Sequence, residues 1–221
     1  MKRVLGLMAA GMVALSLMAT AGTASAKAAD AKLWVLHGIP GATVDVCVNG
    51  SEVRSNFKYK GRFSADLPAG TYNVKVRAAT AGVCTGAVVL AAKPKLDAGK
   101  NYSAVAGLNA KGAPELFLFR NDVRKTDAGN ARVSVRHTAA APKVDVWANG
   151  APLITNVPNG ASWTAQVPKD DYTVRVTPAG TTTTVIGPRT FSLDKGMAYQ
   201  VYATGNATAG YIFQVLAQAT K

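Results

Sequence analysis

The chain is poor in the residues on which most enzyme chemistry depends. It has two histidines and two cysteines among 221 residues, and 12 acidic residues against 25 basic ones. Zinc and copper sites draw on three or four clustered ligands. Here there is no C-x-x-C pair, no histidine-rich tract and no D-x-D-x-D-G calcium loop, so no metal or cofactor is expected. No G-x-S-x-G nucleophile elbow occurs, and Gly38-Ile39-Pro40-Gly41 leads into a strand-like run where a phosphate loop would lead into a helix. Charged residues amount to only 17%, and 21 glycines and 10 prolines are spread without a period, which excludes coiled-coil, collagen-like and low-complexity chains.

Long apolar runs are absent apart from one. Met1-Lys2-Arg3 precedes an apolar stretch from Val4 to Ala19, and small residues follow up to Ala24-Ser25-Ala26. A charged start, an apolar middle and an A-x-A end form a secretory signal, with the expected cut after Ala26. The rival reading is an uncleaved anchor, since Val4 to Ala24 approaches spanning length. No second apolar span follows and no cysteine for lipidation stands at the signal end, so an exported, extracytoplasmic protein without a stable transmembrane anchor is expected. Removing residues 1–26 leaves 23 basic and 12 acidic groups, a net charge of +11 on 195 residues. That balance favours polyanionic partners and says nothing about fold. Export makes nucleic acid a poor candidate, so the expected partner is an anionic envelope polymer or a surface protein.

What the chain does have is an internal repeat. Residues 37–76 laid over 137–176 without a gap match at 12 of 40 positions, among them His37/His137, Asp45/Asp145, Asn49/Asn149, Gly50/Gly150, Asn56/Asn156 and Tyr72/Tyr172. After a three-residue slip, Leu96-Asp97, Gly99 and Tyr102 are answered by Leu193-Asp194, Gly196 and Tyr199. Two copies are too few for a solenoid, so each is expected to be a domain with its own core. The expected organisation is a signal peptide at 1–26, a first domain at 27–120, a linker at 121–130 and a second domain at 131–221.

Within each copy the apolar period is two. Val44, Val46 and Val48 share a face, and Tyr72, Val74 and Val76 alternate with polar residues, as do Tyr172, Val174 and Val176. Asn49-Gly50 and Asn149-Gly150 follow such runs and suit type I′ hairpin turns. About seven strands per copy and no helical pattern predict two tandem antiparallel β-sandwiches of immunoglobulin or transthyretin type.

Val-Asp-Val-x-x-Asn-Gly at 44–50 and 144–150, the following Asn56 and Asn156, Leu-Pro-Ala-Gly-Thr-Tyr at 67–72 and Thr-Pro-Ala-Gly-Thr-Thr at 177–182 resemble the bacterial domain of unknown function 4397. The resemblance covers nearly all of residues 31–217. It implies an envelope-associated β-sandwich protein and carries no catalytic residues to transfer.

Cys47 and Cys84 both lie in the first copy. In an exported domain that parity predicts a disulfide, the alternative being a redox or metal-binding thiol pair. Trp147 stands where the second copy would have Cys47. His37 could pair with Asp45 to orient an imidazole, but a histidine ending a first strand and satisfied by nearby backbone is the simpler reading. In Phe57-Lys58-Tyr59-Lys60-Gly61-Arg62-Phe63 the basic residues take the even positions. A strand there would present Lys58, Lys60 and Arg62 together, with Lys75 and Arg77 extending the face, as a candidate site for anionic polymer; the alternative is a solvated strand face. The functional expectation is a non-enzymatic binding, adhesion or structural module. A hydrolase or redox protein with an unrecognised site is the rival.

Overall fold

A computed structural model describes residues 28–221. The signal-peptide reading falls on residues outside this range. The first copy forms β1 (Ala31–His37), β2 (Thr43–Val48), β3 (Ser51–Lys58), β4 (Arg62–Leu67), β5 (Gly70–Thr71), β6 (Val74–Ala78), β7 (Val88–Ala92), β8 (Lys95–Leu96), β9 (Asn101–Leu108) and β10 (Pro114–Arg120). The second forms β11 (Asn130–His137), β12 (Val144–Ala148), β13 (Ala151–Val157), β14 (Ser162–Pro168), β15 (Asp170–Pro178), β16 (Ile186–Leu193), β17 (Met197–Asn206) and β18 (Gly210–Ala219). Among the described residues there is no helix.

Each copy is a sandwich of two four-stranded sheets. The front sheets run β10-β9-β1-β4 and β18-β17-β11-β14, and the back sheets β3-β2-β6-β7 and β13-β12-β15-β16. Pairing is antiparallel except between β1 and β9 and between β11 and β17. The alternation of valines explains the cores, since side chains of one parity face one way. Val44, Val46, Phe57 and Val76 are buried together in the first copy, and Val144, Val146, Val157 and Val176 at the equivalent positions of the second. Both Asn-Gly turns take left-handed backbone, with φ of 53° and 89° at Asn49 and Gly50 and 49° and 82° at Asn149 and Gly150. The asparagine side chains also work in the fold. Asn49 Oδ1 accepts the Asn73 N–H at 2.9 Å, and Asn149 Oδ1 accepts that of Thr173 at 2.8 Å.

The sandwiches have eight strands of five or more residues per copy where the sequence pattern suggested about seven. The difference lies at residues 57–63, where the expected continuous strand is broken at 59–61 by a turn between β3 and β4. Lys60 adopts φ of 69°, and a Cβ on Gly61 would stand 2.6 Å from the Phe57 ring. The second copy shows the same turn openly, because Gly160, at φ 82°, stands where the first copy has Lys60.

The front sheets of the two copies pack against each other. Leu36, Val105, Phe117 and Phe119 of the first copy and Tyr202 and Leu216 of the second make one buried cluster. Residues 121–130 connect the copies without hanging free: Asn121 and Thr126 are buried, Thr126 Oγ1 donates to Asn130 O at 3.0 Å, and the Asp127 N–H donates to Gln166 Oε1 at 2.7 Å.

Candidate functional site

The chemistry of this protein concentrates in the seam between the two front sheets. On β11 the period of two turns Val133 and Val135 toward the second sandwich and leaves Arg132, Ser134 and Arg136 on the side that meets the first. Arg136 is 1% exposed. Its guanidinium donates to Asn121 Oδ1 at 2.7 Å, the Tyr202 hydroxyl at 2.8 Å, the Arg120 carbonyl at 3.2 Å and Ser162 Oγ at 3.3 Å. It also stacks over Phe119 at 4.6 Å and Tyr202 at 5.3 Å. These partners carry no formal negative charge, so polar dipoles and ring faces hold the cation. Burial pushes the Arg136 pKa below its ordinary value and raises that of the Tyr202 phenol.

A chain of amides continues from this point. Asn121 Nδ2 donates to Ser103 Oγ at 2.9 Å and Asn101 Oδ1 at 2.7 Å. Asn101 Nδ2 and Trp34 Nε1 both donate to Gln218 Oε1, at 2.8 and 2.9 Å, and Gln218 Nε2 donates to Gln200 Oε1 at 2.9 Å. Further links cross the seam. Gln214 Nε2 donates to the His37 carbonyl at 3.1 Å, and Asn159 Nδ2 to the Leu108 carbonyl at 3.0 Å, the same amide also donating to the Ala139 carbonyl at 2.7 Å within its own copy.

Along one side the seam opens into a groove of about 1080 Å³. Trp34, Asn101 and Gln218 line it, with the cations Lys32, Lys100, Arg120, Arg124 and Lys221 and the carboxylates Asp30, Asp66 and Asp122. Lys32 pairs with Asp66 at 3.2 Å, and Asp122 holds Arg124 at 2.8 Å and Arg132 at 3.3 Å. The hydrogen bond from Arg124, helped by the nearby Arg132 charge, draws the Asp122 pKa down to about 2. Among the described residues Lys100, Arg120 and Lys221 have no carboxylate partner.

The residues singled out in the sequence are dispersed. Lys58 is exposed at the end of β3, Lys60 sits in the turn with Nζ 5.5 Å from the Tyr59 ring centre, and Lys75 and Arg77 lie on β6 of the same back sheet as β3. Arg62 starts β4 on the front sheet and donates across the seam to the Val215 carbonyl at 2.7 Å, while Arg77 donates to the Gly86 carbonyl at 2.7 Å. The five cations therefore do not share one strand face, because the turn at Lys60-Gly61 ends the alternation that would have aligned them. Lys75 and Arg77 do stand together, opposite Cys47 and Asp45, beside a hollow of about 330 Å³.

Cys47 and Cys84 are joined in a disulfide across 37 residues. In the second copy Trp147 covers the corresponding surface: Arg175 stacks on its ring at 4.2 Å, and its Nε1 donates to Thr177 Oγ1 at 3.1 Å. His37 Nδ1 accepts the Ile39 N–H at 3.2 Å. His137 Nδ1 accepts that of Ala139 at 3.5 Å, and its Nε2 donates to the Pro142 carbonyl at 2.9 Å. The Asp45 carboxylate takes the N–H groups of Asn56 at 2.9 Å and Thr80 at 3.3 Å, and Asp145 those of Asn156 and Gly180 at 2.8 Å each. Both aspartates are thus occupied by backbone, as is His137 at both ring nitrogens, whereas His37 is held at Nδ1 alone and its buried Nε2 has no hydrogen-bond partner among the described residues. Among the described residues no three His, Cys, Asp or Glu side chains gather as a metal ion would need.

Sequence reasoning missed Asn121, Arg136 and the groove cations. One signal was available: in the gapless repeat Arg136 takes the place of Leu36, a charge where the other copy has an apolar residue beside the shared histidine.

Comparison with known proteins adds a family. The family described as "Domain of unknown function (DUF4397)" matches residues 31–147 and 137–221. No curated protein matches the chain. A solved structure titled "The Bacillus anthracis TIE protein" is 17% identical, with a TM-score of 0.25, over 80% of this chain and 34% of that one. The chain thus spans about a third of that protein's length.

Proposed function

The chain belongs to the DUF4397 family as two tandem copies, and from that premise we propose that it is an exported module that binds an envelope component without catalysing a reaction. The observation that carries this reading is the seam. A shared apolar cluster and the buried Arg136 network hold two sandwiches as one body, and the groove beside them is preformed. Rigid presentation lowers the ordering cost of recognition. The rival hydrolase or redox reading finds its candidate groups engaged elsewhere: both cysteines are bonded to each other, and the histidines and the two repeat aspartates hold turns together. An extracytoplasmic setting is compatible with the disulfide, and among the described residues no helix is long and apolar enough to cross a membrane.

The test is retention of the purified exported protein on isolated envelope material, run beside an assay for breakdown or modification of that material. Saturable retention with no change in the material is expected. Absence of retention, or turnover that co-purifies with the protein, overturns the reading.

A further inference from the structure

We propose that the interdomain groove is the seat of an acidic polysaccharide, an inference that rests on the binding-module reading above. Three features of the groove point to this chemistry. First, it is open and of about 1080 Å³, at or beyond the upper size of clefts that enclose a small molecule, and suits a chain lying across the seam. Second, its polar lining is built for hydroxyl-rich ligands. Asn101 and Gln218 supply amide groups, and the Trp34 indole is fixed beside them by its bond to Gln218 at 2.9 Å. A primary amide has two N–H groups and the seam takes one from each, so Asn101 and Gln218 keep one donor apiece for hydroxyls, while the indole, its N–H bonded to Gln218, offers an apolar ring. Third, the charge is unbalanced. Among the described residues five side-chain cations face three side-chain carboxylates, Asp66 and Asp122 are already held by Lys32, Arg124 and Arg132, and the side chains of Lys100, Arg120 and Lys221 have no ion-pair partner.

The cations would take the carboxylates of the polymer, and the attraction would weaken with salt as exposed charges are screened. The position of the groove explains why the copies must be locked. Lys100 and Arg120 come from the first sandwich and Lys221 and Gln218 from the second, so sliding of one copy on the other would separate them.

The experiment measures binding of the purified exported protein to polygalacturonate, inorganic polyphosphate and neutral dextran at low salt. Two triple variants of equal charge are compared with the unaltered protein: Lys100→Ser, Arg120→Ser and Lys221→Ser in the groove, and Lys58→Ser, Lys60→Ser and Lys75→Ser away from it. Polygalacturonate should bind best. The groove variant should lose about tenfold or more in affinity, as three exposed charge contacts of modest strength would add up to. The distant variant should stay within about twofold, and the unfolding midpoints should match. Equal losses in both variants would reduce the effect to net charge and overturn the groove. Polyphosphate binding as tightly as polygalacturonate would overturn the sugar assignment. No binding to any of the three, with retention on envelope material intact, would overturn the ligand while leaving the module reading standing.

Discussion

Arg136 stands at the position that Leu36 holds in the first copy, and both side chains are buried in the same seam, each 1% exposed. The repeat therefore meets itself through equivalent faces that carry different chemistry. The first copy contributes apolar surface, the connecting segment contributes Asn121, and the second copy contributes a cation that needs acceptors. This asymmetry makes the pair specific, because a buried guanidinium is tolerated only where donors and acceptors match.

The first prediction follows directly. Asn121→Ala removes the shortest hydrogen bond to Arg136 and leaves a buried cation short of an acceptor, so urea unfolding should show a loss of about 2–3 kcal/mol. Arg136→Met, which takes the charge away altogether, should be milder than Asn121→Ala. The reverse order would mean that the cation itself, and not the satisfaction of its partners, holds the seam.

A second prediction concerns the aspartate clasps. Asp45 and Asp145 each bind two backbone N–H groups, one of them on a residue with left-handed backbone, Asn56 at φ 48° and Asn156 at φ 58°. Replacing either aspartate with Ala should destabilise by about 1–2 kcal/mol, since two part-buried backbone donors lose a carboxylate acceptor, and Asn should recover part of that loss. Denaturant midpoints of the four variants check this. Ala variants as stable as the parent would show that water satisfies these groups.

Acid should act through the histidines before it reaches the carboxylates. Burial holds the pKa of His37 and of His137 below the ordinary value of 6.5. The unfolded chain therefore takes up these protons first. The stability the neutral rings contribute is complete above about pH 6.5 and is lost as pH falls through their folded values. A proton on Nδ1 would also displace the Ile39 or Ala139 N–H. Melting temperature should fall between pH 7.5 and 5, and His137→Asn should flatten that slope. Asp122, with its pKa near 2, governs a separate and lower window, in which stability is lost as pH drops from about 4 toward 2.

Reduction should weaken the protein substantially. The disulfide closes a loop across 37 residues, and the chain-entropy relation gives about 4 kcal/mol for constraining it in the unfolded state. Cys47→Ser with Cys84→Ser should lower the denaturant midpoint accordingly, and a reducing agent should change the parent but not the double variant. Trp147→Ala would then test the replacement in the second copy, with a loss of about 2 kcal/mol expected for a half-buried ring. No effect from Trp147→Ala would separate it from the role of the disulfide.

The sequence alone determined the two-copy plan, the all-β class, the valine faces of the cores, both Asn-Gly turns and the disulfide pair. These depend on local periodicity and φ preference, which are read within a few residues, on comparison of one copy with the other and, for the disulfide, on there being just two cysteines, both in one copy. The turn at Lys60-Gly61 was hidden because alternating Lys and aromatic residues imitate a strand, and only the equivalent Gly160 reveals it. Tertiary structure alone decided how the copies meet. Arg136 looks like an ordinary strand cation until Asn121, 15 residues away, and Tyr202, 66 residues away, close around it. The groove cations Lys100, Arg120 and Lys221 likewise come from separate elements, and no linear pattern records that packing two front sheets brings them to one edge.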